Sequence, residues 1–150
     1  VTSFVSSYGS SYFLSLLFGR VTTPPANYYI ALCQDIPDNN DDGADLSEPS
    51  ITANYARVAV PNDTAHWVSS GYDEVINAAT IVWPIVGADT DWGRLTAFAL
   101  CDVATVGSGN VLIFGLLTPA QAPQELSQLS VKPGGLLISL SSISANYEPT

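Results

Sequence analysis

The sequence predicts a mainly β protein: an antiparallel β-sandwich, jelly-roll-like, with one N-terminal α-helix. Three observations lead there. Short apolar or alternating runs recur along the 150 residues at spacings typical of sandwiches, punctuated by Gly, Pro, Asn and Asp. The clearest run, WGRLTAFALCD at 92–102, alternates Arg94, Thr96, Phe98 and Leu100 with Leu95, Ala97, Ala99 and Cys101, and the second set is small enough to admit a close neighbour. No strand–helix alternation is present, which disfavours a parallel, doubly wound sheet.

Taken in order, residues 3–18 read as a helix whose stripe is Phe4, Val5, Tyr8, Tyr12, Leu16 and Leu17, with Thr2 or Ser3 as cap and Gly19 as stop. A helix of this length is marginal alone, so the stripe needs a sheet or a neighbouring subunit against it. Pro24 and Pro25 stiffen the connector to a strand at 28–33. Residues 34–54 hold six of the fourteen acidic residues and read as a long surface loop. Strands follow at 55–60, closed by Pro61, and at 79–83, ended by Pro84, with a short one near Trp67 between them. The run 92–102 ends in turn residues 102–110 and returns as VLIFGLL, 111–117, in an antiparallel hairpin. Residues 118–134 read as a second long loop. The last strand, 134–142, places Leu136, Ile138 and Leu140 inward, and 143–150 form an arm. The whole is one domain, 1–150, with the sandwich over about 28–142.

Composition narrows the function. The chain is 47% apolar but only 12% charged, against roughly 25% in an ordinary soluble domain. So little charge predicts a permanent subunit interface and hence a homo-oligomer. Net charge is −10, and the four basic residues Arg20, Arg57, Arg94 and Lys132 are scattered singly, so neither nucleic acid nor an anionic membrane is an expected partner. No apolar run reaches membrane-spanning length, and the first residues lack the basic region of a secretory signal. Cys33 and Cys101 are too few for a disulfide scaffold and read as buried thiols.

Motifs with chemistry are sparse. Asp38-Asn39-Asn40-Asp41-Asp42-Gly43 matches the first half of a calcium loop, making Asp38, Asn40 and Asp42 a candidate Ca²⁺ set. The second half departs: Pro49 stands at the twelfth position, with Glu48 one residue early, and the bland reading is a solvated acidic loop. His66 is the sole histidine, which argues against zinc, and as a general base it lacks a visible orienting partner. Trp83 and Trp92 read as core or interface anchors, whereas Trp67, with Tyr8 and Tyr12, is an interface or ligand candidate. No catalytic residue is assigned, and no cofactor beyond Ca²⁺.

The order of the pieces resembles a family of tailed-bacteriophage virion proteins, the minor tail or tail-fibre proteins. The resemblance rests on Tyr28 to Cys33, Tyr55 to Val60, Asn77 to Trp83, Trp92 to Ala104, Gly109 to Leu117 and Gly135 to Leu140, and spans about residues 5–141. It implies a non-enzymatic structural subunit that assembles on the phage particle, often as a trimer, in contact with other virion proteins. Assembly in the bacterial cytoplasm would leave both thiols reduced. A minor tail or tail-tip protein is the leading expectation, followed by a capsid decoration or head-fibre protein. A carbohydrate- or host-receptor-binding module using Trp67 is the alternative of a different class.

Overall fold

The computed structural model describes residues 3–21 and 23–139. Ten strands and one α-helix lie among them: β1 (Ser3–Val5), α1 (Ser7–Leu17), β2 (Asn27–Cys33), β3 (Val58–Pro61), β4 (Trp67–Ser69), β5 (Glu74–Asn77), β6 (Ile81–Ile85), β7 (Leu95–Cys101), β8 (Val111–Gln121), β9 (Gln128–Val131) and β10 (Leu137–Ser139). A five-stranded sheet, β1-β8-β7-β2-β3, faces a three-stranded sheet, β10-β5-β4, and a two-stranded sheet, β6-β9. Every pairing is antiparallel. The mainly β, antiparallel class expected from the sequence is thus the class observed.

β7 sits in the centre of the large sheet, between β2 and β8. Its Phe98 and Leu100, with Ile30 and Leu32 of β2, enter the main core beside Ile81, Trp83, Trp92 and Leu136. Alternation sends Ala97, Ala99 and Cys101 to the other side, where they cluster with Ala31, Cys33, Phe114 and Leu46. The close neighbour that this small-residue face admits is therefore the acidic loop, through Leu46. Leu95 departs from the expected parity and joins the main core with Phe98. The reason is a shift in register between Leu95↔Gln121 and Ala97↔Leu116, which turns the start of the strand over.

Four further boundaries move. Residues 3–5 are not the first turn of the helix but a strand paired with 113–115, and α1 begins after Ser6, whose hydroxyl accepts the Gly9 N–H at 2.8 Å. Ser3 is therefore not the cap, and Thr2 lies outside the described residues. The stop at Gly19 is as expected, with φ +69°. Pro84 does not end β6, because the register shift between Val82 and Ile85 carries the proline through without requiring its missing N–H. The stretch 118–134 is not all loop: β8 runs on to Gln121 and β9 lies within it. β3 starts at Val58, since Tyr55 and Arg57 are turned to another use described below. Leu140 and the arm 143–150 lie outside the described residues.

Candidate functional site

Two places gather unusual chemistry. In the first, Arg57 is buried and points under the acidic loop. Its Nε and Nη2 donate to Glu48 at 3.0 and 2.7 Å, Nη1 donates to the carbonyls of Val103 and Ser108 at 3.0 and 2.9 Å, and Nη2 reaches the Gly43 carbonyl at 3.4 Å. The fork geometry of a guanidinium suits this division, one edge to a carboxylate and the other to backbone. Tyr55 completes the cluster, donating to Glu48 Oε1 and accepting from the Leu32 N–H, both at 2.8 Å. Burial works against the Arg57 charge, and the hydrogen bonds and charge of Glu48 more than restore it, so its pKa lies above the ordinary value. Burial, followed by the Glu48 charge, pushes the Tyr55 phenol up.

This cluster fixes the acidic loop against the 102–110 turn. Gly43 N donates to Gly109 O at 2.8 Å, and a Cβ on Gly43 would meet Ser108 O at 1.9 Å, so only glycine permits that approach. Asp102 accepts from the Asn110 backbone and side chain at 2.7 and 2.8 Å, shaping the turn from within. Two of the three Ca²⁺ candidates already use a side-chain oxygen within the loop and its surroundings. Asn40 Oδ1 accepts from Ser7 Oγ at 2.7 Å, and Asp42 Oδ1 accepts from Ala44 N at 2.7 Å, while Asp38 N donates to Asp41. Among the described residues no three His, Cys, Asp or Glu side chains gather as a metal would need.

His66 has the orienting carboxylate that the sequence did not reveal: its Nδ1 lies 2.7 Å from Asp63 Oδ1. The same oxygen accepts the Ala65 and His66 N–H groups, so the pair closes a turn. The His66 hydrogen bond holds the Asp63 carboxyl below its usual range. Cys33 and Cys101 are both buried, and burial raises both thiols, Cys101 to about 12. Buried Asn77 was also missed. Its amide bonds the Leu136 N–H at 2.8 Å and the Ala79 and Lys132 carbonyls at 2.9 and 3.0 Å, stapling β5 to the turn before β10.

The second place is a groove of about 590 Å³ between α1 and the sheet β10-β5-β4, lined by Tyr12, Phe13, Leu14, Trp67, Val75 and Ile138 among others. It brings together two of the three aromatic candidates. Trp67 is half-buried, edge-on to Tyr28 at 6.2 Å, and its Nε1 finds no hydrogen-bond partner among the described residues. Tyr12 donates to the Thr23 carbonyl at 3.1 Å and stacks on the more exposed Tyr8 at 6.2 Å. Close seating of α1 makes the groove. Ser6 Oγ donates to the Val111 and Leu112 carbonyls, and a Cβ on Gly9 would meet Leu112 O at 2.0 Å. No helix among the described residues is long and apolar enough to cross a membrane.

Residues 5–139 match the family described as Podophage GP4 fiber I protein gp80. No curated protein matches the chain. The match runs from the end of β1 to the end of β10 and so includes both the Arg57 cluster and the groove. It agrees with the tail-fibre resemblance carried by the order of the strands. The chain belongs to this family of phage fibre proteins and is a structural protein of the phage virion.

Proposed function

We propose that the protein is a non-enzymatic subunit that self-associates on a tailed-phage particle, at the tail or tail tip, in contact with other virion proteins. The observation that carries this reading is the use of the buried ion pair. Arg57 and Glu48, with side chains 0% and 2% exposed, direct their polar atoms to each other and to the backbone of two loops. A buried charge pair in an enzyme commonly perturbs a reactive group beside a cleft; this one hardens a surface loop. A hardened, acidic surface suits a particle component exposed to solvent. Trp67 is half-buried and meets Tyr28 in an edge contact, which leaves less of its ring surface for a sugar to stack on.

The test is location. Antibody against the purified chain, or a small tag on the exposed 102–110 turn, is traced on intact particles by electron microscopy. Label at the tail supports the reading. Label on the capsid would replace it with a head-fibre role, and particles without label would overturn both.

A further inference from the structure

We infer that the uncharged face made by α1 and its groove is where a second copy of this chain docks, the outer side of one α1 lying against the groove and helix of the other. This rests on the reading that the protein self-associates and names the surface that does it.

The helix carries no charge, and its two sides are used differently. Its inner side is seated on β8 through Ser6 and Gly9. Its outer side carries Phe13, Leu14, Leu17 and Phe18, which are 52%, 52%, 66% and 73% exposed. Those four are two i, i+4 pairs, side by side on one stripe. An apolar stripe of this size, beside a helix face of exposed serines, is ordinarily covered in an assembly, because leaving it in water forfeits its transfer free energy.

Charge decides what can cover it. With a net charge of −10, two copies repel wherever their carboxylates meet. Residues 3–19 contain no charged side chain, and neither does the groove lining. A cationic partner would be drawn to the acidic loop instead. The partner suited to this face is a neutral, apolar element, and the chain supplies one in α1 itself. The size is close to what association needs: the exposed and half-buried groove lining together with Tyr8, Leu17 and Phe18 makes about seventeen residues, just under the roughly twenty a side of a standard interface.

The test uses the full chain. Sedimentation at low micromolar concentration is expected to show an oligomer for the wild type. Leu17→Glu should weaken association by about tenfold or more, and should leave the melting temperature unchanged when both proteins are compared at dilutions where they are monomeric, because Leu17 is exposed. Phe18→Ser should do the same and guards against a folding defect in the first variant. Cys33 and Cys101 are buried, so the thiol of Leu17→Cys can be probed with a maleimide against Thr105→Cys in the exposed turn. Protection of Leu17→Cys alone, lost on dilution to monomer, supports the proposal. An oligomer that survives both surface substitutions, with Leu17→Cys as reactive as Thr105→Cys, overturns this surface and leaves self-association standing. A monomeric wild type overturns both. In that case a protected Leu17→Cys assigns the face to the chain's own residues 140–150, and a reactive one leaves it to another virion protein.

Discussion

Glu48 and Arg57 lie 2.7 Å apart in the interior, nine residues apart in sequence, and between them fasten the acidic loop to the turn that follows β7. Removing one charge strands the other where water cannot reach it. Glu48→Gln should therefore destabilise the protein by about 3 to 5 kcal/mol. Adding Arg57→Met should recover only part of the loss, because the carbonyls of Val103 and Ser108 would still lack their donor. Urea unfolding of the two variants checks this. A single variant within about 1 kcal/mol of wild type would mean that the pair is solvated and surface-like.

None of that pairing could be read from the sequence, and the reason is physical. The strands were legible because alternation is local: Phe98 and Ala99 declare their faces to a reader who knows only the period of a strand. Gly19 and Asp102 were legible because a helix stop and a turn are local chemistry. The helix start was not, since Ser3, Ser6, Ser7, Ser10 and Ser11 are equivalent as caps until β8 offers carbonyls to one of them. Leu95 changed face because of a register shift made with β8, more than twenty residues downstream. Gly43 shows a second use that a local motif does not reveal. The motif marks it as a turn residue, whereas its lack of a Cβ is what lets Ser108 approach, a contact between loops far apart in sequence.

The buried thiols and phenol set an alkaline limit on stability. Burial holds Cys101 at about 12, against an ordinary 9.0, and raises Cys33 and Tyr55 as well. Each group stays protonated in the fold while the unfolded chain ionises, so stability is fully present below the unfolded value and is lost as pH rises toward the folded one. The expected slope is a loss of roughly 1.4 kcal/mol per pH unit for each thiol above about pH 9, joined by the phenol above about pH 10. Urea midpoints measured between about pH 8 and 10.5 should fall accordingly, and Cys101→Ala should remove one group's share. A flat profile would contradict the burial of all three.

Calcium is expected to leave the protein unchanged. Asp42 and Asn40 already accept from Ala44 and Ser7, and the Asp41 and Asp45 carboxylates accept from the backbone of Asp38 and Asp42. A cation would have to displace those bonds. Titration calorimetry after chelation should give no binding heat; a saturable heat lost in Asp42→Ala would restore the metal loop.

Ala99 tests the two-sided burial of β7. It is fully buried, paired with Ala31 on one side and Phe114 on the other, beneath the loop that carries Leu46. Ala99→Leu should overpack that face at a cost of about 1 to 3 kcal/mol, and loop protons near Leu46 should exchange faster. Ala99→Ser, close in volume, should cost less if its hydroxyl finds a carbonyl. Normal stability in the leucine variant would show that the acidic loop lifts freely and that the small-residue face has no closely packed neighbour.

Gly9 sets two known effects against each other. Replacing a helical glycine by alanine gains up to about 1 kcal/mol from propensity, so a helix lying free on the surface would be stabilised by Gly9→Ala. Here the added methyl would sit 2.0 Å from the Leu112 carbonyl oxygen, a backbone atom within a strand paired on both sides. It cannot be accommodated unless α1 lifts away from β8 or β8 bends, and overpacking of that kind costs about 1 to 3 kcal/mol. Sterics should win, lowering the melting temperature and speeding exchange at the Ser6 and Gly9 amides. Because the lifted helix also opens the groove, association should weaken in parallel, unlike in Leu17→Glu, where association falls and subunit stability holds. A Gly9→Ala protein more stable than wild type would mean that α1 does not seat closely on β8.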